Sequence, residues 1–266
     1  MRPKHARIRL DTLLVERGLV ESREKGRRLL MAGEVRVNGQ LADKPGTLVA
    51  ADAAIEIKAG PRFASRGGDK LDAALESFQV NVAGWVCADV GASTGGFTDC
   101  LLKRGAAKVY AIDVGEGILD WGLRNDPRVI VMENTNARYV EHLPERVRLV
   151  TIDASFISLK ILLPVAQGWL EANGEIVPLI KPQFEAGRDR VGKKGVVRDP
   201  QVHLEVLNEI LTFAEARNLH TAGLIRSPLL GPAGNVEFLA RLSTARAEAN
   251  VEALVARVLA SDSSLN

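Results

Sequence analysis

From Lys70 onward, short apolar runs of strand character alternate with helical patterns along most of the chain. Trp85 to Val90, Lys108 to Ile112, Arg128 to Met132, Val147 to Ile152 and Gly174 to Ile180 are dominated by aliphatic residues, and helical spacings such as Leu71, Ala74, Leu75 and Phe78 fall outside them. Strands without polar alternation must be covered on both faces, and connections long enough to hold a helix make neighbouring strands parallel. The expectation is an α/β fold with a doubly wound, mainly parallel sheet and helices on both sides. In such a sheet, functional groups gather beyond the carboxyl ends of the strands.

The first strand runs into Asp89-Val90-Gly91-Ala92-Ser93-Thr94-Gly95-Gly96-Phe97, with a helix expected from about Gly95. Glycines there are read as letting the backbone approach a bound cofactor, where a Cβ would collide. The second strand ends at Asp113, 24 residues after Asp89, where a carboxylate can accept hydrogen bonds from both hydroxyls of an adenosine ribose. This pattern fits a dinucleotide or S-adenosylmethionine. It departs from the dinucleotide fingerprint because Ser93 replaces a glycine and Gly95 and Gly96 are adjacent, and in that form it resembles the loop of the FtsJ-like class I methyltransferases. The cofactor contacts expected are Asp89, Gly91, Ala92, Ser93, Gly95, Gly96, Phe97, Asp113 and, after the third strand, Asn136.

Charge separates the beginning of the chain from the rest. Residues 1–66 carry 14 Lys/Arg against 8 Asp/Glu, leaving 21 against 25 for the remainder, so a net charge of +2 conceals a basic first quarter. A basic arm on an acidic body points to a polyanionic partner, nucleic acid first. Leu10, Leu13 and Leu14 fit a short helix ending near Gly18, and Ser22 can cap a second helix from Arg23 to Met31. Asn38-Gly39 then marks a hairpin. Arg9-Leu10-Asp11, Ser22-Arg23 and Gly33 to Gly39 together resemble the S4-type RNA-binding domain, an α+β unit placed here at residues 1–58 and followed by a linker, 59–66, and a large domain, 67–266. The resemblance implies docking on structured RNA, which is recognised largely by shape and phosphate contacts. The RNA-contacting residues expected are Arg7, Arg23, Lys25, Arg27, Arg28 and Arg36, with Arg62 and Arg66 extending the track.

The apolar content of 46% with 26% charged residues is ordinary globular composition. Cys87 and Cys100 lie in apolar stretches without metal-ligand spacing, which predicts packed free thiols in a reducing compartment and no metal. No signal-peptide pattern follows the basic first residues and no uncharged run is long enough to span a bilayer, so a cytoplasmic protein is expected.

Four ionisable residues stand out in short motifs. Asp153 opens Asp153-Ala154-Ser155-Phe156-Ile157-Ser158-Leu159 after one strand, and Lys181 opens Lys181-Pro182-Gln183-Phe184-Glu185 after the next. Lys70 lies in Gly67-Gly68-Asp69-Lys70-Leu71, and Glu237 in Gly234-Asn235-Val236-Glu237-Phe238. Two lysines tuned by two carboxylates can position and deprotonate a hydroxyl, a poor nucleophile on its own. With the S4-like start and the Gly91 to Asp99 loop, these motifs resemble, in order and over nearly the full length, the TlyA-like (hemolysin A) ribosomal RNA 2′-O-methyltransferases.

That resemblance implies S-adenosylmethionine as cofactor, ribosomal RNA on the ribosomal subunit as partner, and a Lys-Asp-Lys-Glu tetrad at Lys70, Asp153, Lys181 and Glu237. It implies a cytidine in 16S or 23S ribosomal RNA, the choice of subunit varying with the chain termini, here Met1 to Ala6 and the helix-like Ala247 to Ala260. The glycine-rich basic loop from Ala186 to Gly195 is read either as a flap bringing Arg188, Arg190, Lys193 and Lys194 to RNA or as a plain solvated loop. The last helix is expected to pack on its own domain, favouring a monomer. Competing readings are a base methyltransferase, an RNA-binding factor with an inactive methyltransferase domain, and a membrane-active toxin. An Asn/Asp-Pro-Pro-aromatic motif or a cleft cysteine would favour the first, failure to bind S-adenosylmethionine the second, and lysis of red cells the third.

Overall fold

The computed structural model describes residues 7–58, 60–247 and 249–260. The chain divides into two units, Met1–Pro61 and Arg62–Asn266. The smaller contains β1 (Arg7–Arg9), α1 (Leu10–Glu16), α2 (Arg23–Met31), β2 (Val35–Val37), β3 (Gln40–Leu41), β4 (Leu48–Ala50) and β5 (Ile55–Ile57). Ser22 caps α2 by accepting the Lys25 N–H at 3.2 Å. Asn38 and Gly39 both have positive φ, 50° and 78°, as a two-residue turn between β2 and β3 requires. Leu10, Leu14, Leu30 and Val35 form its core. Asp11 is fully buried beside it and is paired with Arg9 at 3.1 Å and Arg23 at 3.0 Å. The hydrogen bond from Arg9, joined by Arg23, holds the Asp11 carboxyl below the ordinary range despite burial.

The larger unit contains α3 (Gly67–Ser77), β6 (Val86–Val90), α4 (Gly96–Lys103), β7 (Lys108–Ile112), α5 (Trp121–Arg124), β8 (Val129–Met132), β9 (Val147–Ile152), α6 (Leu159–Trp169), β10 (Leu170–Ile180), α7 (Pro182–Glu185), α8 (Pro200–Glu215), β11 (His220–Arg226), β12 (Phe238–Ser243) and α9 (Val251–Ala260). Its seven strands lie in the order β11-β12-β10-β9-β6-β7-β8. The five from β10 to β8 are parallel, and β12 runs antiparallel between β10 and β11, so the sheet is mixed. Side chains alternate between two cores as strand geometry dictates. Cys87, Leu149, Val177 and Leu239 meet Leu71 and Leu75 of α3 and Leu101 of α4 on one face. Ala88, Val150, Ile176 and Ala240 meet Leu163 of α6, Val206 of α8 and Val255 of α9 on the other.

Residues 62–66, read from sequence as connector, are built into the larger unit. Phe63 is buried against Gly68, where a Cβ would come within 2.3 Å of its ring, and the Ala64 N–H donates to Asp99 at 2.9 Å. The last helix packs on its own unit, burying Val255 and Val258. Met1 to Ala6 lie outside the described residues. Among the described residues no helix is long and apolar enough to cross a membrane.

Candidate active site

β6 sits between β7 and β9, so the chain leaves in opposite directions after β6 and after β9, and a crevice opens at that switch point. Two clefts of about 610 and about 580 Å³ adjoin there, both lined by Gly91, Ser93, Asp153, Ser155 and Phe156. Lys70, Lys181 and Glu237 line the first together with Asp153, so all four residues singled out from sequence meet in one cleft. They form two ion pairs. Lys181 Nζ is 2.6 Å from Asp153 Oδ1 and donates to Ser155 Oγ at 3.1 Å. Lys70 Nζ is 2.6 Å from Glu237 Oε2, and the Gln183 amide donates to Glu237 Oε1 at 3.4 Å. Glu237 is 1% exposed and both lysines 8%, so these three charges are nearly removed from water and depend on their partners, whereas Asp153 is only partly buried.

Glycines after β6 are required by the packing of the chain itself. A Cβ at Gly91 would stand 2.7 Å from the Asp153 carbonyl, one at Gly95 2.3 Å from Leu123, and one at Gly96 2.2 Å from Ser65 Oγ and 2.9 Å from the Gly68 nitrogen. They allow three chain segments to close on one another, the last bringing the starts of α3 and α4 together. Ser93 takes a left-handed conformation at φ 49° and donates its N–H to Asp113 Oδ2 at 2.8 Å, while Gly115 N–H donates to Oδ1 at 2.7 Å. Each Asp113 oxygen keeps a second acceptor position, and the residue lines the 580 Å³ cleft with Asn136. Ala92, Gly96 and Phe97 line the other cleft, whereas Gly95 lines neither. Asp89 also departs from the sequence expectation. It is fully buried, accepts from Thr98 at 2.7 Å and Thr151 at 3.1 Å, and lines neither cleft. Burial pushes its carboxyl up to about 7 against those two bonds.

The basic residues divide by their partners. In the smaller unit Arg7, Lys25, Arg27 and Arg28 are exposed. Arg23 is drawn to Asp11, and Arg36 donates to the Gly39 carbonyl at 3.0 Å, closing the hairpin. In the larger unit Arg62 pairs with Asp72 at 2.6 Å, and Arg190 pairs with Glu205 at 2.5 Å, which ties it to α8. Arg66 and Lys194 line the 610 Å³ cleft, and Arg188 is exposed in the loop that follows α7. The Lys193 side chain lies outside the described part of the molecule.

Four site features were not found from sequence. Ser155 shares Lys181 with Asp153. Phe156 is 90% exposed at φ 63° and its ring lies 4.8 Å from that of Phe184. Asn235 accepts from Val197 N–H and donates to the Gly195 carbonyl, each at 2.9 Å, holding the base of the basic loop beside Glu237. Glu185 bridges to the start of α6. An exposed left-handed phenylalanine has no sequence signal, because in a pattern of apolar residues it reads as core.

Comparison with known proteins agrees with this layout. Residues 63–244 match the FtsJ-like methyltransferase family and residues 8–55 the S4 domain. A Bacillus subtilis protein provisionally named rRNA methyltransferase YqxC is 50% identical over 241 residues, covering 88% of this chain and 85% of that one. The 16S/23S rRNA (cytidine-2′-O)-methyltransferase TlyA of Mycobacterium tuberculosis is 49% identical over 242 residues, 90% of each chain. Among solved structures, a Streptococcus thermophilus protein provisionally titled a hemolysin superposes with a TM-score of 0.72 at 40% identity over 97% of both chains.

Proposed function

Because this chain belongs to the TlyA-like branch of the FtsJ-like methyltransferases, with an S4 domain preceding the methyltransferase domain, we propose that it methylates a ribose 2′-hydroxyl of ribosomal RNA using S-adenosylmethionine. The observation that carries the reading is Lys181, held by Asp153 and Ser155 in a cleft that adjoins a second one suited to a nucleoside.

The residues of the second cleft fit the cofactor. Asp113 is oriented by two backbone donors and retains acceptor capacity for vicinal hydroxyls, Val114 and Ile161 supply apolar walls, and the volume is in the range of small-molecule sites. Bound there, S-adenosylmethionine supplies a methyl group on a cationic sulfur, which departs as a neutral thioether.

The chain's own task is to align a hydroxyl and remove its proton. An ammonium has three donor positions, and Asp153 and Ser155 occupy two at Lys181, leaving one for the 2′-oxygen. Deprotonated, the same nitrogen offers a lone pair there and accepts the hydroxyl proton as the new O–C bond forms. Lys70 and Glu237 neutralise one another behind this site and, through Gln183, brace the segment that carries Lys181. Orientation contributes most: alignment is worth about 7–11 kcal/mol, against about 10²–10⁴ in rate for a positioned base. Phe156 and Phe184 offer an aromatic surface on which the target base, turned out of its helix, can stack. Exposed Lys25, Arg27 and Arg28 on α2 supply phosphate contacts for the RNA.

Cytidine is the base we assign, following the name of the Mycobacterium tuberculosis relative, with 16S and 23S RNA in the ribosomal subunits as substrates. The protein acts as a cytoplasmic monomer, a reading supported by the apolar face of α9, which is covered within its own unit. Base methylation through a cysteine is disfavoured, since Cys87 and Cys100 are buried away from both clefts and burial pushes each thiol up to about 12. The test is to incubate ribosomal RNA with methyl-labelled S-adenosylmethionine and the protein and to analyse the nucleosides. Label on the ribose is expected; label on a base overturns the reading.

A further inference from the structure

We propose that Glu185 is a positioning residue for methyl transfer, setting the separation of the two segments that carry Asp153 and Lys181; the inference rests on the reading of that pair given above. β9 and β10 are parallel neighbours, registered as far as Ile152 opposite Pro178, so the sheet fixes the two segments only up to the strand ends. Beyond them both chains leave the sheet, one through Phe156 in a left-handed conformation toward α6, the other through the single turn of α7.

Three residues of the second segment, Lys181, Phe184 and Glu185, cross-link it to the first, and Lys181 does so through Ser155 as well as Asp153. Asp153 pairs with Lys181 at 2.6 Å, the Phe156 ring meets Phe184 at 4.8 Å, and Glu185 ends the series. Its Oε2 accepts from Ser158 Oγ at 2.6 Å and its Oε1 accepts the Leu159 N–H at 2.8 Å. The first two links line the clefts and are the ones RNA must engage. Glu185 lines neither cleft, so it can hold the spacing while the others are occupied. Chemically the link is well matched. Leu159 N–H is one of the donors an α-helix leaves unsatisfied at its N-terminus, and bonds to a carboxylate are about twice as strong as neutral ones. Burial raises the Glu185 carboxyl, opposed by the bonds from Leu159 and Ser158 and by the charge of Lys160, which pairs with Glu209 of α8. With the carboxylate gone, α6 loses its tie to α7, and a displacement of about 1 Å between the segments is enough to cost about 10²-fold in rate.

The experiment uses the full-length protein as wild type, Glu185→Ala, Glu185→Gln and Ser158→Ala. Methyl transfer to ribosomal RNA is read as separate kcat and KM, S-adenosylhomocysteine binding by calorimetry, and exchange of the Leu159 amide by hydrogen exchange. Glu185→Ala is expected to lower kcat by about 10–100-fold with RNA KM and S-adenosylhomocysteine affinity unchanged, and to speed Leu159 exchange. Glu185→Gln restores most of the rate, because its amide oxygen can accept from Leu159 and its amide nitrogen can donate to Ser158. Ser158→Ala removes the Ser158 arm together with the cap bond from the Lys160 N–H at 3.2 Å, so it lowers kcat with a modest drop in melting temperature, and it settles the matter if Glu185→Ala does not fold. Wild-type kcat in Glu185→Ala or Ser158→Ala overturns the proposal, as does a rate loss in Glu185→Ala that only mirrors lost stability and is not restored by glutamine. A wild-type protein that puts no label on RNA overturns the methyl-transfer reading and this inference with it; an active wild type beside a fully active Glu185→Ala overturns this inference alone.

Discussion

Replacing Lys70 by methionine removes the partner of a carboxylate that has almost no access to water. Glu237 is 1% exposed, its Oε2 is held only by Lys70 Nζ at 2.6 Å among the contacts described, and Oε1 keeps only the long 3.4 Å bond from Gln183. Removing one member of a buried pair costs about 3–5 kcal/mol because the other charge is left uncompensated. For a unit of this size each kcal/mol lowers the melting temperature by about 2–4 °C, so Lys70→Met should melt roughly 6–20 °C below wild type. The double variant Lys70→Met/Glu237→Gln has no stranded charge and keeps the shape of both side chains, so most of the loss should return. Activity should not return, since neither variant retains the lysine. Tryptophan fluorescence reports the relevant transition, as Trp85, Trp121 and Trp169 all lie in the larger unit. A single variant as stable as wild type, or a double variant no more stable than the single, would refute the argument that this pair is held by mutual neutralisation.

Other consequences concern pH, base stacking and salt. Asp89 holds its proton up to about 7 when folded but only to about 3.8 unfolded, so the folded state binds the extra proton between those values and stability falls as pH rises from about 4 to about 7, by at most about 4 kcal/mol. Urea unfolding of Asp89→Asn should show a flatter profile over that window, and an unchanged fall would rule Asp89 out as its source. Phe156→Ala should lower kcat/KM for RNA by roughly 5–150-fold, the equivalent of about 1–3 kcal/mol per stacked base, with cofactor affinity preserved; an unaffected kcat/KM would remove the stacking role. Arg27→Ala/Arg28→Ala should weaken RNA binding and flatten its salt dependence by about 0.7–0.9 in slope per lost phosphate contact, measured by titration at several salt concentrations. An unaltered slope would exclude both arginines from the phosphate interface.

Much of the fold was legible because buried parallel strands are written as unbroken apolar runs. Lys108–Ile112 and Val147–Ile152 fall where the runs do. β11 was not, since His220, Thr221, Gly223 and Arg226 interrupt the pattern of a strand at the sheet edge. β10 begins earlier than its apolar run because Leu170 pairs with β9 ahead of an irregularity that includes left-handed Asn173. The convergence of Asp153 and Lys181 followed from strand topology, whereas the pairing of Lys70 with Glu237 joins residues 167 positions apart and is set by packing. The glycines of the loop have a second requirement that their spacing did not reveal: a Cβ at Gly91, Gly95 or Gly96 would strike the protein's own chain. Glu185, Phe156 and Asn235 have roles that exist only once two loops are folded side by side.

In the proposed mechanism Lys181 acts on the 2′-hydroxyl and is dispensable for binding the cofactor. This role is tested most directly by comparing wild type and Lys181→Ala for S-adenosylmethionine affinity and for 2′-O-methylcytidine formed in ribosomal RNA, the second by nucleoside mass spectrometry. Matching affinities are expected, with methylated cytidine present for wild type and nearly absent for the variant; turnover close to wild type in Lys181→Ala would overturn this role for the lysine.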